Sequence, residues 1–328
     1  MPARRHEWPD ADAFQEDAHE RGWTDGLPVV PATPEKVAAF LATVALPPDE
    51  VLGRVPTREV VVTAEDAAVN AVMAGCRPEY FPVVVAAVRA HLDEMGNCHS
   101  TTGTLSGAAH AVIVNGPVRR EIDVACEAGC LGPGFRANAT IGRALRLVIR
   151  NVCRAVPGFL DRATYSWPLR YSFCFGENEE ASDWTPLHVQ RGYAPDDSTV
   201  TVHSVMRMVS AWDSTARGPE EVADTLVADT RHHGITGDAF LGDGISIVYV
   251  MGREHQRLFL EAGWSKEDLQ GHLHARLTAP ATGPRDRFVN VGRPENVLVV
   301  PAGGAGMAET WILFPHLAWA VTRPVITG

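Results

Sequence analysis

The residues able to do chemistry fall into three groups along the chain. The first is Cys76 in GCRPEY, set between a helix stop, Gly75, and a helix start, Pro78. A thiol at a helix start beside Arg77 is biased toward thiolate, because dipole and guanidinium both favour the anion. The alternative is a small apolar filler in a helix corner. The second group is the turn Gly132-Pro133-Gly134, leading through Phe135 to Arg136, Asn138 and Thr140 at a helix mouth. Free backbone N–H groups, a positive helix end and a planar guanidinium suit a carboxylate or phosphate. The third is Glu177-Asn178-Glu179-Glu180 after a strand, with His188 brought back by the rigid turn Trp184-Thr185-Pro186. Such a set suits general acid–base work or a hard metal ion, and its plain alternative is a solvated acidic loop.

Other chemistry-bearing residues carry less. Cys126 and Cys130 form a CxxxC with no matching second pair, so structural zinc is not expected. His232 and His233 sit at a helix end, where a cation suits the dipole, and read as structural. His203 falls near the end of a strand, DSTVTVHSV.

The positioning elements are written in caps and periodicity. Thr63 followed by Glu65 and Asp66 opens a helix whose residues 67–73 are nearly all apolar, which implies burial. REVVVT is a strand ending at Thr63, and Thr33-Pro34-Glu35 opens a short helix. AHAVIVNG is a buried strand ending near Asn115, preceded by a loop of small hydroxyl residues, NCHSTTGTLSG. Ile141, Leu145, Val148, Ile149 and Val152 share one helical face, while Arg143, Arg146, Arg150 and Arg154 share another, read as solvated or at an oligomer interface. YSFCFG, residues 171–176, is a further strand. From Gly218 onward the pattern is helix, buried strand (ISIVYVMG), two helices, then the strand of ENVLVVP and short apolar segments.

The segment from AHAVIVNG to GPGFRANATIGRALRL echoes the one from GISIVYVMG to HARL. Both run strand, glycine turn, short helix, longer helix. The expectation is an α/β fold: an extension over 1–30 and two related halves, 31–215 and 216–328, with the ligand at their junction beside Cys76.

Composition narrows the class. Hydrophobic content of 45% and 21% charged residues are ordinary for a globular enzyme. A net charge of −11 argues against nucleic acid or anionic membrane as general partners. No apolar run of about 18 residues is present, and the N-terminus lacks a signal-peptide core, so a cytoplasmic, soluble protein is expected. Six cysteines are too few for a disulfide scaffold in a chain of 328 residues.

DGLPVVPAT, NAVMAGCRPEYFPVV, IVNGP, GCLGPGFRANATIGRALRL, FCFGENEEASDWTPLHV and VVPAGGAG resemble the motifs of a bacterial family associated with, or fused to, UGSC family (seleno)proteins. Members are often labelled thioredoxin-like. The resemblance spans Asp25 to the C-terminus and implies site roles for Cys76, Glu79, Asn115, Arg136, Asn138, Glu177, Asn178, Glu179 and His188. No UGSC motif and no CxxC pair is present here, which speaks against a dithiol mechanism.

Together these readings give an enzyme acting on a small anionic, carboxylate-type substrate by lyase, hydrolase or thiol-linked redox chemistry. Cys76 is the expected nucleophile or proton carrier, Glu79 or His188 the acid–base partner, and Arg136 with Asn138 the anion clamp. Asn115, Thr140 and Asn178 complete the substrate contacts. A second expectation is a divalent transition metal held by Glu177, Glu179 and His188. A third is a non-catalytic subunit that binds a redox partner protein, and in any of these roles a homo-oligomer.

Overall fold

The computed structural model describes residues 6–233, 245–283, 286 and 289–328. Asp10 and Thr33 cap α1 (Ala11–Glu20) and α2 (Pro34–Leu41) by accepting N–H groups of the first turn. β1 (Val51–Val55) and β2 (Val60–Thr63) form an antiparallel hairpin. Thr63 and Asp66 then build a full capping box that opens α3 (Ala64–Ala74). α4 (Phe81–His91) and α5 (Cys98–Thr102) follow.

β3 (Ala109–Asn115) begins the main sheet, and α6 (Val118–Glu121), α7 (Arg136–Asn151) and β4 (Cys174–Gly176) come next. α8 (Leu187–Gln190) leads into the long β5 (Thr199–Trp212). The second half holds α9 (Pro219–His233), β6 (Ile247–Met251), α10 (Arg253–Glu261), α11 (Lys266–Leu277), β7 (Val297–Pro301), β8 (Glu309–Pro315) and β9 (Val321–Pro324).

The main sheet runs β4-β3-β5-β8-β6-β7, with β9 also on β5. β3 and β4 are parallel, as are β6 and β7, while β5 and β8 lie antiparallel between the two pairs. The strand order of the first half therefore recurs in the second: a strand, a parallel neighbour reached through two helices, then an antiparallel strand on the other side. Cα register joins Val112 to Cys174 in one parallel pair and Ile247 to Val297 in the other. Apolar clusters lie beneath α3, α4 and α7 and beneath α9, α10 and α11. A third, including Ile113, Phe175, Val205, Val250, Val300 and Leu313, takes residues from strands of both halves and fills the inside of the curled sheet.

The N-terminal segment packs on the fold: α1 buries Phe14 and Ala18, and Gln15 exchanges two hydrogen bonds with the Val29 backbone. Two expectations need correction. Of the four arginines, Arg143, Arg146 and Arg150 are covered rather than solvated, while Arg154, beyond the end of α7, is exposed. Arg143 forks onto Asp25 at 2.8 Å, Arg146 donates to the Arg170 carbonyl, and Arg150 donates to the Gly22 carbonyl. Asp25 and the carbonyls of Gly22, Leu27 and Pro28 thus take up Arg143 and Arg150. The strand at 171–176 is shorter than its apolar pattern, because the Tyr171 N–H is spent in a turn bond to the Pro168 carbonyl. Among the described residues, no helix is long and apolar enough to cross a membrane.

Candidate active site at the closing seam

The curl brings the C-terminal ends of both parallel pairs to one seam. The Asn178 N–H, just beyond β4, donates to the Pro301 carbonyl at the end of β7, at 2.7 Å. The Gly303 N–H reaches the Cys126 carbonyl at 2.8 Å, and the Ala302 N–H reaches the Met251 carbonyl at 3.1 Å. In α/β sheets, ligand sites form at the carboxyl ends of parallel strands, where helices and loops leave side chains free to converge.

Charged groups from both halves meet here inside the protein. Lys266, the first residue of α11, is 0% exposed and donates to Glu177 Oε1 at 2.9 Å; Glu177 itself is 2% exposed. The second carboxylate oxygen accepts from Asn115 Nδ2 at 2.6 Å and from the Leu187 N–H at 2.8 Å. Glu177 is therefore fully hydrogen-bonded as an anion, and its countercharge comes from the other half. Asn115 Nδ2 also donates to Glu179 Oε1 at 2.9 Å, so one amide ties two carboxylates together. The Gly116 N–H adds a bond to the same oxygen at 2.8 Å. Gly116 has φ +82, and a Cβ there would lie 2.1 Å from the Asp197 carbonyl oxygen, so only glycine fits this approach.

Glu179 is the more accessible carboxylate of the pair, with a side chain 15% exposed. His188 Nδ1 lies 3.9 Å from its Oε1, and this nitrogen has no hydrogen-bond partner among the described residues. His188 Nε2 is 3.3 Å from the Pro195 carbonyl, which can only accept, so Nε2 donates. Nδ1 is thus the ring position left free for proton exchange, and it faces Glu179. Arg119 Nη2 is 3.7 Å from the other Glu179 oxygen and donates to both oxygens of Glu180 at 2.7 Å. Burial works against the Arg119 charge, but the Glu180 and Glu179 carboxylates outweigh it and raise its pKa. Arg119 Nη1 also contacts Cys126 Sγ at 3.3 Å; burial nonetheless raises that thiol's pKa, so it is protonated near neutrality.

The structure separates the remaining expected residues from this group. Cys76 belongs to the first-half core, not to the junction. Its N–H closes the end of α3 on the Ala71 carbonyl, with Gly75 at φ 89 completing the turn. Pro78–Tyr80 is a short 3₁₀ turn, so no α-helix start faces the sulfur. Arg77 turns outward to Glu79 at 3.7 Å, both well exposed. Burial pushes the Cys76 thiol up to about 12, despite the Thr140 hydrogen bond and the charges of Arg136 and Arg143. The expected thiolate and its Glu79 partner are therefore not formed.

The Arg136 clamp is also spent, because Nε and Nη2 both donate to the Gly75 carbonyl. Asn138 holds the backbone of Ala125 in both directions and the Cys130 carbonyl, which fixes the loop carrying Cys126. The Thr140 hydroxyl bonds back to the Arg136 carbonyl. Asn178 is buried at the seam and contributes its backbone. The metal reading fails on charge and geometry. Lys266 takes the place a cation would hold at Glu177, and among the described residues no three His, Cys, Asp or Glu side chains are grouped to hold an ion.

Of the residues singled out in the sequence, the structure brings Asn115, Glu177, Glu179 and His188 together, and it adds Lys266 and Arg119, to which the sequence reading gave no role. Lys266 did carry a signal. A lysine at the first position of a helix opposes the dipole, which asks for an acid there, so a specific partner must hold it. Arg119 carried none, being one of two adjacent arginines in a four-residue helix. Compared with family models, curated proteins and solved structures, the chain finds no match in any of the three.

Proposed function

We propose that the chain is an enzyme moving a proton on a small carboxylate-bearing substrate at the seam, in a lyase or hydrolase reaction. The observation that carries this reading is Glu179 set between the free nitrogen of His188 and the guanidinium of Arg119. Glu180 holds one guanidinium nitrogen of Arg119, Nη2, between its two oxygens at 2.7 Å each, and a substrate carboxylate displacing it would take over these charge-assisted bonds. Its side chain is 47% exposed whereas that of Arg119 is 3% exposed, so the acid can swing out and the fork stays in place. A substrate carboxylate in that fork brings its neighbouring carbon beside Glu179. Glu179 then takes the proton, His188 Nδ1 shares it, and Arg119 stabilises the charge that builds on the carboxylate. Lys266, Glu177 and Asn115 act indirectly by fixing Glu179. The Cys126 thiol lines the same fork and serves as a neutral wall.

The test does not need the natural substrate. A panel of small carboxylic acids is incubated with the protein in D2O, and deuterium entry beside the carboxylate is read by NMR. Exchange is expected with some member, lost in Glu179→Gln and weakened in Arg119→Lys. A panel that neither exchanges nor raises the melting temperature of the native protein removes the proposal.

A further inference from the structure

A second constellation lies at the opposite end of β3 from the seam. Ser106, three residues before β3, places its Oγ 2.6 Å from Nε2 of His316, which directly follows β8. Thr104 Oγ1 is 3.0 Å from Ser106 Oγ and accepts the Ser106 N–H at 3.2 Å. Thr104 Oγ1 also lies 3.3 Å from His316 Nε2, and when the Thr104 hydroxyl donates to Ser106 Oγ the Ser106 proton is directed at the imidazole. The His316 backbone N–H donates to the Ser204 carbonyl at 3.0 Å, which ties this end of β8 to β5. Burial lowers the His316 pKa, so the ring is a neutral base near pH 7. A hydroxyl within hydrogen-bond reach of a neutral imidazole is the arrangement that activates a serine.

Ser106 also opens onto a cleft of about 390 Å³, within the range of small-molecule sites. Its walls include Leu105, Tyr165, Trp167, Met206 and Met208. Leu105 is 69% exposed and Tyr165 is 94% exposed, so this wall presents apolar surface to whatever enters. Trp167 carries a buried Nε1 with no partner among the described residues, a donor left over on the same wall. His316 Nδ1, which carries the ring hydrogen when Nε2 accepts from Ser106, has no partner among the described residues, so no third group there orients the base. The seam chemistry uses none of these residues.

We propose that Ser106 is the nucleophile, and His316 its general base, of an acyl-transfer site for small esters with a short apolar acyl group. Ser106 Oγ bonds to the ester carbonyl carbon while His316 Nε2 takes the hydroxyl proton. The carbon–oxygen bond to the alcohol then breaks, and His316 returns the proton to the departing alkoxide. Water attacks the acyl-serine, giving its proton to His316; the acid leaves and Ser106 regains its hydrogen. Without a third group the turnover is slow, and the acyl-serine accumulates.

The test uses the full chain with p-nitrophenyl butyrate and a fluorophosphonate probe. Hydrolysis above that of the unfolded protein is expected, together with a single fluorophosphonate adduct mapped to Ser106 by mass spectrometry. Ser106→Ala should lower the rate at least ~100-fold. That change sits on a half-buried loop, so it reads out even if a His316→Gln variant fails to fold. An unlabelled protein, an adduct on another residue, or unchanged hydrolysis in Ser106→Ala would each overturn the assignment and leave Ser106 as a hydrogen-bond partner for a core histidine.

Discussion

Lys266→Met is the sharpest perturbation the seam allows. It removes a cation that is 0% exposed and leaves Glu177, 2% exposed, with only two N–H donors, from Asn115 and Leu187. Removing one partner of a buried ion pair costs about 3–5 kcal/mol. Methionine refills the apolar volume of the lysine stem, and the two remaining donors still serve the carboxylate. The lower end, about 3 kcal/mol, is therefore expected. At roughly 2 °C per kcal/mol for a chain of this size, the melting temperature should fall by about 6 °C. Denaturant unfolding of native protein, Lys266→Met, Glu177→Gln and the double variant gives the coupling directly. The double variant removes both charges and should be less damaged than the two single costs summed. Because the pair is buried, the Lys266→Met loss should persist in about 0.5 M salt, where exposed pairs are screened. A cost below about 1 kcal/mol, or additive single effects, would refute the claim that the two halves are locked through this pair.

Further predictions concern other buried or capped groups. Cys76 should alkylate slowly at neutral pH and faster only as pH climbs toward about 12; rapid labelling at pH 7 would contradict its burial. His203 is pushed down to about 4 by burial, so the unfolded chain takes its proton first as acid is added. Stability should fall between 6.5 and about 4, by roughly 3 kcal/mol from this group, and His203→Gln should show a flatter profile. Asp213 is lowered to about 2 by bonds from Thr215 and Thr225, with a reference value of 3.8. Its stabilising share is full above 3.8 and lost as pH falls through about 2, so Asp213→Asn and native protein should converge in urea titrations across that window. Gly116→Ala should destabilise the fold and abolish deuterium exchange at the seam, since the Asp197 carbonyl leaves no room for a methyl group.

Local elements were legible because each announces itself within a few residues. The Thr63–Asp66 box, the Pro34 start and the apolar runs of β3, β6 and β7 need no knowledge of the rest of the chain. The α/β class was legible too, since buried strands and helices alternate along the chain. What sequence could not supply was distance across the chain. The Cys76 corner looked activated because Arg77 and Pro78 are its neighbours in sequence, whereas in space Arg77 turns outward and core side chains surround the sulfur. The α7 arginines looked solvated because nothing local marks Asp25 as the partner of Arg143. Glu177 and Lys266 are 89 residues apart, and only the curl of the sheet makes them one unit.

That separation also sets an order of events during protein synthesis. Glu177 and β4 leave the ribosome 89 residues ahead of Lys266, an interval of roughly 4 to 18 seconds at ordinary elongation rates. Throughout it the nascent first half carries a carboxylate whose cation does not yet exist, and an outer strand whose seam partner, β7, is still to be translated. An open sheet edge next to an unneutralised charge is the kind of surface that ribosome-associated chaperones shield and that adjacent nascent chains on a polysome invade. Slow codons read once Lys266 has emerged would prolong exposure of the edge with the charge already paired, whereas slow codons read before it emerges would prolong both together.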